Sequence, residues 1–135
     1  MALSHDRVIR LRGQVTQQRY KLAAGAVIHH HALVAVDSNG FLAPAADAAG
    51  HQVVGIASQA VANPGAAGEA ECMVYRGGAR LPTTGNEAIT QARVGRKALV
   101  LDDEYVVAAG TNHSIEAGEV LEVTDDGFVW INAGV

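Results

Sequence analysis

The chain has 135 residues, enough for one domain with a hydrophobic core of its own. Twenty-five of its apolar residues are alanine and only six residues are aromatic, so the core is expected to be aliphatic, and the 17 valines favour strands over helices. A single cysteine excludes an internal disulfide framework and a zinc site built from cysteines. No stretch approaches the ~20 apolar residues that span a bilayer, and the charged N-terminus is unlike a signal peptide, which predicts a soluble protein made in the cytoplasm.

The net charge of −4 is unevenly distributed along the chain. Residues 1–21 carry five basic groups and one acid, whereas residues 22–135 carry five basic groups and 13 acids. We therefore divide the chain into a basic N-terminal arm, 1–21, and a single β-sandwich domain, 22–135. Opposite charges favour contact between the arm and an acidic surface of the same or a neighbouring subunit. The acidic body repels phosphate and lacks an aromatic platform, so no direct contact with nucleic acid is expected.

The first half of the chain reads as short strands joined by polar turns. Over residues 8–16, Ile9 and Leu11 alternate with Arg10 and Arg12, which predicts a half-exposed strand able to join the edge of a partner's sheet. The Asn-Gly pair in DSNG (37–40) predicts a hairpin. The other strands expected here are AGAVI (24–28), ALVAV (32–36), FLAPA (41–45) and QVVGIA (52–57), the last with a bulge at Gly55.

The second half continues the pattern with one break. After a Pro/Gly loop at 62–69, residues 70–82 predict one long strand that bends at Gly77 and Gly78. Residues 87–95 predict the one helical turn, which Thr90 can cap and Gly95 can end. Four more strands are expected at 97–101, 105–109, 119–123 and 128–132. Eight to ten short strands without a long helix are typical of an all-β sandwich or barrel.

Three consecutive histidines, His29, His30 and His31, interrupt the apolar runs and allow three interpretations. On a continuous strand His29 and His31 would share a face and could both bind a metal. No carboxylate follows before Asp37, and the later histidines lie in loops without ligand spacing. The remnant of a purification tag would be longer and terminal. We therefore interpret the three histidines as a polar turn between two strands.

The remaining reactive side chains also favour structural roles. The acids of 102–104 and of 125–127 stand between apolar runs, where Asp and Gly favour tight turns. Cys72 alternates with Val74, as expected for a small buried apolar residue. No nucleophile, phosphate-binding or Cys-His motif is present. We expect no enzyme activity, no catalytic residues, no cofactor and no metal, and we expect Trp130 to be a core residue or an interface anchor.

Four stretches, taken in order, carry a family resemblance. They are AGAVIHHHALVAVDSNGFLAPAADAAGHQVVGIA (24–57), EAECMVYRGGARLP (69–82), ITQARVGRKALVLDDEYVVAA (89–109) and AGEVLEVTDDGFVWINAG (117–134). Their order and spacing resemble the capsid cement, or head decoration, proteins of tailed bacteriophages and Mu-like prophages. The resemblance covers about residues 20–134, and the basic arm lies outside it. Family members usually have an aromatic residue, Lys or Gly at the position of the histidines, which suits a turn.

The resemblance implies a β-sandwich of jelly-roll type, to which the residue patterns described above add an extended N-terminal arm and at most one short helix. It implies a structural virion protein on the outer surface of the phage head, where a homodimer or homotrimer at a capsid symmetry axis binds across junctions of the major capsid protein. No membrane partner is expected. Two alternatives stay open: a small metal-binding protein or enzyme that uses His29 and His31, and a tail or adaptor protein of the virion. The residues that we expect to contact a partner are Arg7, Ile9, Arg10, Leu11, Arg12, Arg19 and Trp130.

Overall fold

A computed structural model describes residues 2–110 and 112–135, and these ranges contain eleven strands and one short 3-10 helix, Gln91–Arg93. The strands are β1 Leu11–Lys21, β2 Val27–Ile28, β3 Leu33–Val36, β4 Leu42–Pro44, β5 Gln52–Ala57, β6 Val61–Ala62, β7 Glu71–Pro82, β8 Lys97–Val100, β9 Val106–Val107, β10 Glu116–Val123 and β11 Phe128–Ala133. The all-β prediction is confirmed. In the described ranges, no helix has the length and apolar character needed to cross a bilayer.

One antiparallel sheet forms the body, in the order β4-β3-β5-β7-β11-β10-β8-β9, and β2 pairs with β6 beside it. The main sheet curls, so that β3 and β5 share a core with β8, β10 and β11. β1 pairs with β7 and lies outside this strand order. The curled antiparallel sheet is consistent with a sandwich, while the jelly-roll connectivity and the boundary between residues 21 and 22 stay predictions.

Two apolar cores cover the two faces of β3 and β5. In β3, Leu33 and Ala35 belong to the larger core, and Val34 points into a smaller one with Leu22, Ile28 and other residues. Successive side chains of a strand point to opposite faces, so a strand with both faces covered reads as a continuous apolar run. This is why ALVAV and QVVGIA lack the alternation of a half-exposed strand.

Most predicted turns are confirmed. Asp37 and Gly40 close the β3–β4 hairpin, since the Asp37 amide donates to the Phe41 carbonyl and Gly40 adopts a φ of +85°. The register slips at Gly55, as the bulge prediction required. β7 pairs with β5 before Gly77 and with β11 from Gly77 onward, so the long strand changes partner at the predicted bend. The helical turn is confirmed but short, and Thr90 precedes it without a side-chain capping bond.

Several predicted boundaries are wrong, three of them in the first half of the chain. The N-terminal strand covers Leu11–Lys21 rather than 8–16, because its polar residues pair with β7 even though they lack apolar alternation. The strand expected at 24–28 is reduced to Val27–Ile28. Its partner, Val61–Ala62, lies where we predicted no strand, at the boundary of the loop predicted at 62–69. Such two-residue pairings depend on neighbours distant in sequence, which a local pattern does not reveal.

Asn63 holds the loop after β6, and we expect Asn63→Ala to lower the free energy of unfolding by about 2–3 kcal/mol. Its side chain is buried, its amide donates to the carbonyls of Ala23 (3.1 Å) and Ala66 (2.9 Å), and its oxygen accepts the amide of Gly65 (3.1 Å). Alanine leaves these groups without their partner. Urea unfolding measures the loss, with the exposed Asn39→Ala as the control, for which we expect less than about 0.5 kcal/mol. Equal losses in the two variants would contradict this role.

Candidate functional site

The three histidines form a turn between β2 and β3. The Ala32 amide donates to the His29 carbonyl (3.1 Å), and His31 adopts a left-handed φ of +60°. The His31 amide donates to the Ala57 carbonyl at the end of β5 (3.0 Å), which fixes the turn to the sheet. The turn prediction is confirmed, because His29 and His31 do not occupy one face of a continuous strand. Across the described ranges, no group of three or more His, Cys, Asp or Glu side chains has the arrangement of a metal site.

Residues 3–9, which we call the N-terminal segment, lie along this turn. Five hydrogen bonds join them to the turn, of which two, made by the Arg7 guanidinium and the Arg7 carbonyl, are described below. The Arg7 amide donates to the His30 carbonyl (3.1 Å), the His30 amide donates to Asp6 Oδ1 (3.0 Å), and the Ile9 amide donates to His31 Nδ1 (2.8 Å). The histidines therefore serve as the docking surface for the start of the chain.

The Arg7 side chain connects the histidine turn to the acidic turn after β8. Its Nε donates to the His31 carbonyl (2.9 Å), and its two terminal nitrogens donate to the carbonyls of Glu104 (3.0 Å) and Asp103 (3.3 Å). Burial lowers the pKa of the guanidinium, and the neighbouring acids partly oppose that effect. Arginine stays protonated throughout the accessible pH range, so Arg7 holds the two turns together as a cation.

The acidic turn, Asp102–Glu104, anchors the beginning of the N-terminal segment. Asp102 Oδ1 accepts the amides of Glu104 (2.8 Å) and Tyr105 (2.9 Å), which confirms the predicted turn role. Asp103 is buried, and its Oδ1 accepts the amide of Leu3 (2.8 Å). Burial raises the pKa of Asp103, with a further increase from the charge of Asp102, whereas the bond from Leu3 lowers it. A carboxylate that is costly to bury thus holds the N-terminal segment through the Leu3 amide.

The rings of His30 and His31 stack with centroids 3.9 Å apart and carry their protons on different nitrogens. The Ile9 amide is a donor, so His31 Nδ1 is unprotonated and the neutral ring holds its proton on Nε2. His30 Nδ1 lies 2.7 Å from the Arg7 carbonyl, which only accepts, so His30 holds a proton on Nδ1. Burial, followed by the charges of His30 and Arg7, lowers the pKa of His31 to about 4.

The seven residues predicted to contact a partner fall into two sets. Arg7 and Ile9 contact their own body, Arg7 through its guanidinium and Ile9 through the larger core. Trp130 is 7% exposed and lies under the Arg12 guanidinium, 3.9 Å from the ring centroid, while Arg12 also pairs with Glu122 at 2.6 Å. In this conformation, these four residues are engaged within the chain, and a partner role for them stays a prediction.

The other predicted contact residues are exposed on β1 or just before it. Arg10 and Arg19 are exposed, and Leu11 is 37% exposed. Arg19 Nε lies 3.9 Å from a carboxylate oxygen of Glu71, a distance at which an exposed pair contributes little. Within the described residues β1 pairs with β7 alone, so its second edge carries unpaired backbone groups. These groups are available to an extended segment from another chain.

A concave region separate from the histidine turn lies between β5, β8 and β10. Its volume is about 480 Å³, and its lining includes His51, Lys97 and Glu116. His51 Nδ1 is buried, with no hydrogen-bond partner among the described residues. Lysine and glutamate line the same open cleft, so its charge does not select one class of ligand.

No family model, no curated protein and no solved structure matches this chain. Sequence reasoning found the histidine turn but missed its function of docking the N-terminal segment. His31 and Ile9 are 22 positions apart, and Arg7 and Glu104 are 97 apart. No local pattern in the sequence indicates contacts at such separations. The opposite charges of arm and body do favour a basic residue of the arm beside an acidic turn of the body.

Proposed function

We propose that this chain is a capsid cement protein that binds the outer surface of a phage head across junctions of the major capsid protein and stabilises the shell. The order and spacing of the four stretches between residues 24 and 134 support the assignment, because together they resemble that family. The observation that carries the mode of binding is β1, an 11-residue basic strand with one edge that has no partner among the described residues.

β1 has the charge and geometry to receive an extended acidic segment. It contains Arg12, Arg19 and Lys21 and no acidic residue, and most of its side chains are exposed. Backbone groups at a free sheet edge pair with an added strand, and charged side chains select the sign of that strand. β1 pairs with β7 over residues 11–12 and 16–21, with a register shift between these two stretches, so the free edge is fixed to the body at both ends. Such an edge contributes modest affinity, which many copies on one shell multiply.

Co-sedimentation with expanded heads that lack the protein tests the proposal. The heads come from the phage or prophage that encodes the chain, and gel densitometry counts copies per major capsid protein. We expect saturable binding at a fixed ratio, and that ratio distinguishes dimers from trimers at symmetry axes. An absence of binding above background, or recovery of the protein with tails of dissociated particles, would contradict the cement function.

A charge reversal on β1 tests how the strand contributes. We expect Arg19→Glu to weaken binding to heads about tenfold, because it repels the acidic segment proposed to lie along β1. The matched control is Arg96→Glu, an equally exposed reversal at the start of β8, three strands away from β7 in the sheet order. The same loss of binding in both variants would mean that only total charge matters and would exclude β1 as the contact strand.

A further inference from the structure

We propose that the histidine turn is an acid-sensitive latch, in which protonation of the His31 ring releases residues 3–9 from the body while β1 stays paired with β7. This inference concerns the chain alone and does not depend on the identity of a partner. If the latch fails its test, the cement proposal is unaffected. If the cement proposal fails its test, the latch is unaffected. Release would expose Arg7 and Ile9, two of the predicted contact residues that the docked conformation engages within the chain.

The hydrogen bond from Ile9 requires an unprotonated Nδ1 on His31. A protonated imidazole donates at both nitrogens, so the proton on Nδ1 would face the Ile9 amide hydrogen across a donor–acceptor distance of 2.8 Å. The ring is 8% exposed and is fixed between the stacked His30 ring and the edge of Tyr75, whose centroid is 6.4 Å away. This packing leaves the ring little freedom to rotate away from the new repulsion, so the segment must move instead.

The charges around His31 also oppose its protonation. The Arg7 guanidinium donates to the His31 carbonyl, which places a permanent cation beside the ring, and His30 is stacked on it. Two acids that contact the segment and the turn have other partners, since Asp103 accepts the Leu3 amide and Asp6 accepts the His30 amide. A second positive charge at His31 would therefore be poorly compensated as long as the segment is docked.

The direction of the pH effect follows from the two states of the ring. The pKa of His31 is about 4 in the docked state, against an ordinary value of 6.5 when the segment is released. The released state takes up the proton first as the pH falls, so docking is fully favoured above pH 6.5 and is lost between pH 6.5 and 4. The full difference corresponds to a change of about 300-fold in the docking equilibrium.

Two acids near the segment also titrate. The bond from the His30 amide lowers the pKa of Asp6, whose Oδ1 lies 3.4 Å from His29 Nδ1, so protonation of Asp6 favours release at the acidic end of the range. Asp103 has a raised pKa when docked, so its proton uptake opposes release as the pH falls. The Asp6 pair is exposed and contributes little. The experiment must therefore change His31 alone.

Amide hydrogen exchange in the full-length chain tests the latch. We expect the protection of the Ile9 amide, corrected for intrinsic exchange, to fall about 50-fold between pH 7 and pH 4.5. The amides of β7 and β11 should stay protected over that range. A fall of less than threefold at Ile9, or an equal fall throughout the sheet, would overturn the proposal.

His31→Asn is the matched variant, because asparagine tolerates a left-handed φ and places an oxygen acceptor near the position of Nδ1 without titrating. We expect its Ile9 protection to vary less than threefold with pH, and a wild-type pH profile in this variant would exclude His31 as the switch. If the variant does not fold, nitrogen-detected titration of His31 in the native chain decides the question. A midpoint near 4 with the proton on Nε2 supports the latch, and a midpoint near 6.5 overturns it.

Discussion

Replacing Gly55 with alanine is expected to lower the free energy of unfolding by about 4 kcal/mol, the largest effect that we anticipate for a single added methyl group. A Cβ atom at this position would lie 2.0 Å from the Tyr75 carbonyl oxygen and 2.9 Å from Val74 Cγ1. The backbone has a φ of +148°, which L-residues rarely adopt. The bulge brings β5 close to β7 at this point, so the added methyl group would separate two central strands.

Gly40→Ala is the control, since Gly40 also has a positive φ, +85°, but its Cβ would meet no atom within 4 Å. It reports the cost of the left-handed conformation alone, about 1 kcal/mol. Chemical unfolding of both variants, or the soluble yield when Gly55→Ala does not fold, separates steric clash from backbone strain. Equal stability of the two variants would contradict the close approach of β5 and β7.

Replacing Arg7 with methionine is expected to release the N-terminal segment at neutral pH. The substitution removes three hydrogen bonds, from the guanidinium to the carbonyls of His31, Asp103 and Glu104, and keeps an apolar side chain of similar length. Bonds to a charged donor contribute about 1.5–3 kcal/mol each, but partial rehydration of the carbonyls lowers the net loss to about 3 kcal/mol. We expect exchange at the Leu3 and Ile9 amides to become about 100-fold faster at pH 7.

Arg10→Met provides the comparison for Arg7, because Arg10 directly follows the N-terminal segment but is exposed. It should leave exchange at Leu3 and Ile9 within twofold of the native chain. If Arg7→Met leaves these amides protected, the histidine turn alone holds the segment. Faster exchange in both variants would instead indicate that the net charge of the arm, rather than the bonds of one guanidinium, keeps it in place.

The turns of this fold could be predicted because their chemistry is local. Asp37 and Gly40 define a hairpin through a side-chain acceptor and a left-handed glycine, and the Asp102 side chain accepts backbone amides in the turn between β8 and β9. Pairings between short segments could not be predicted in this way. Val27–Ile28 and Val61–Ala62 form a two-stranded unit only because the rest of the chain brings them together.

The candidate site likewise has one feature that the sequence predicted and another that only the tertiary structure showed. The sequence indicated that the three histidines form a turn, since they stand between two apolar runs without the carboxylates of a metal site. The tertiary structure determined what the turn does, because it places Arg7 between that turn and the acidic turn and sets His31 under the Ile9 amide.

By itself the sequence determined the all-β class, most of the turns, and a basic arm on an acidic body, since strand alternation, turn residues and charge are local properties of the chain. Only the tertiary structure decided that the arm is divided into a docked segment, residues 3–9, and β1, an edge strand whose second edge has no partner among the described residues. That division depends on contacts between residues up to 100 positions apart. Such contacts form only when the curled sheet brings the two ends of the arm against different parts of the body.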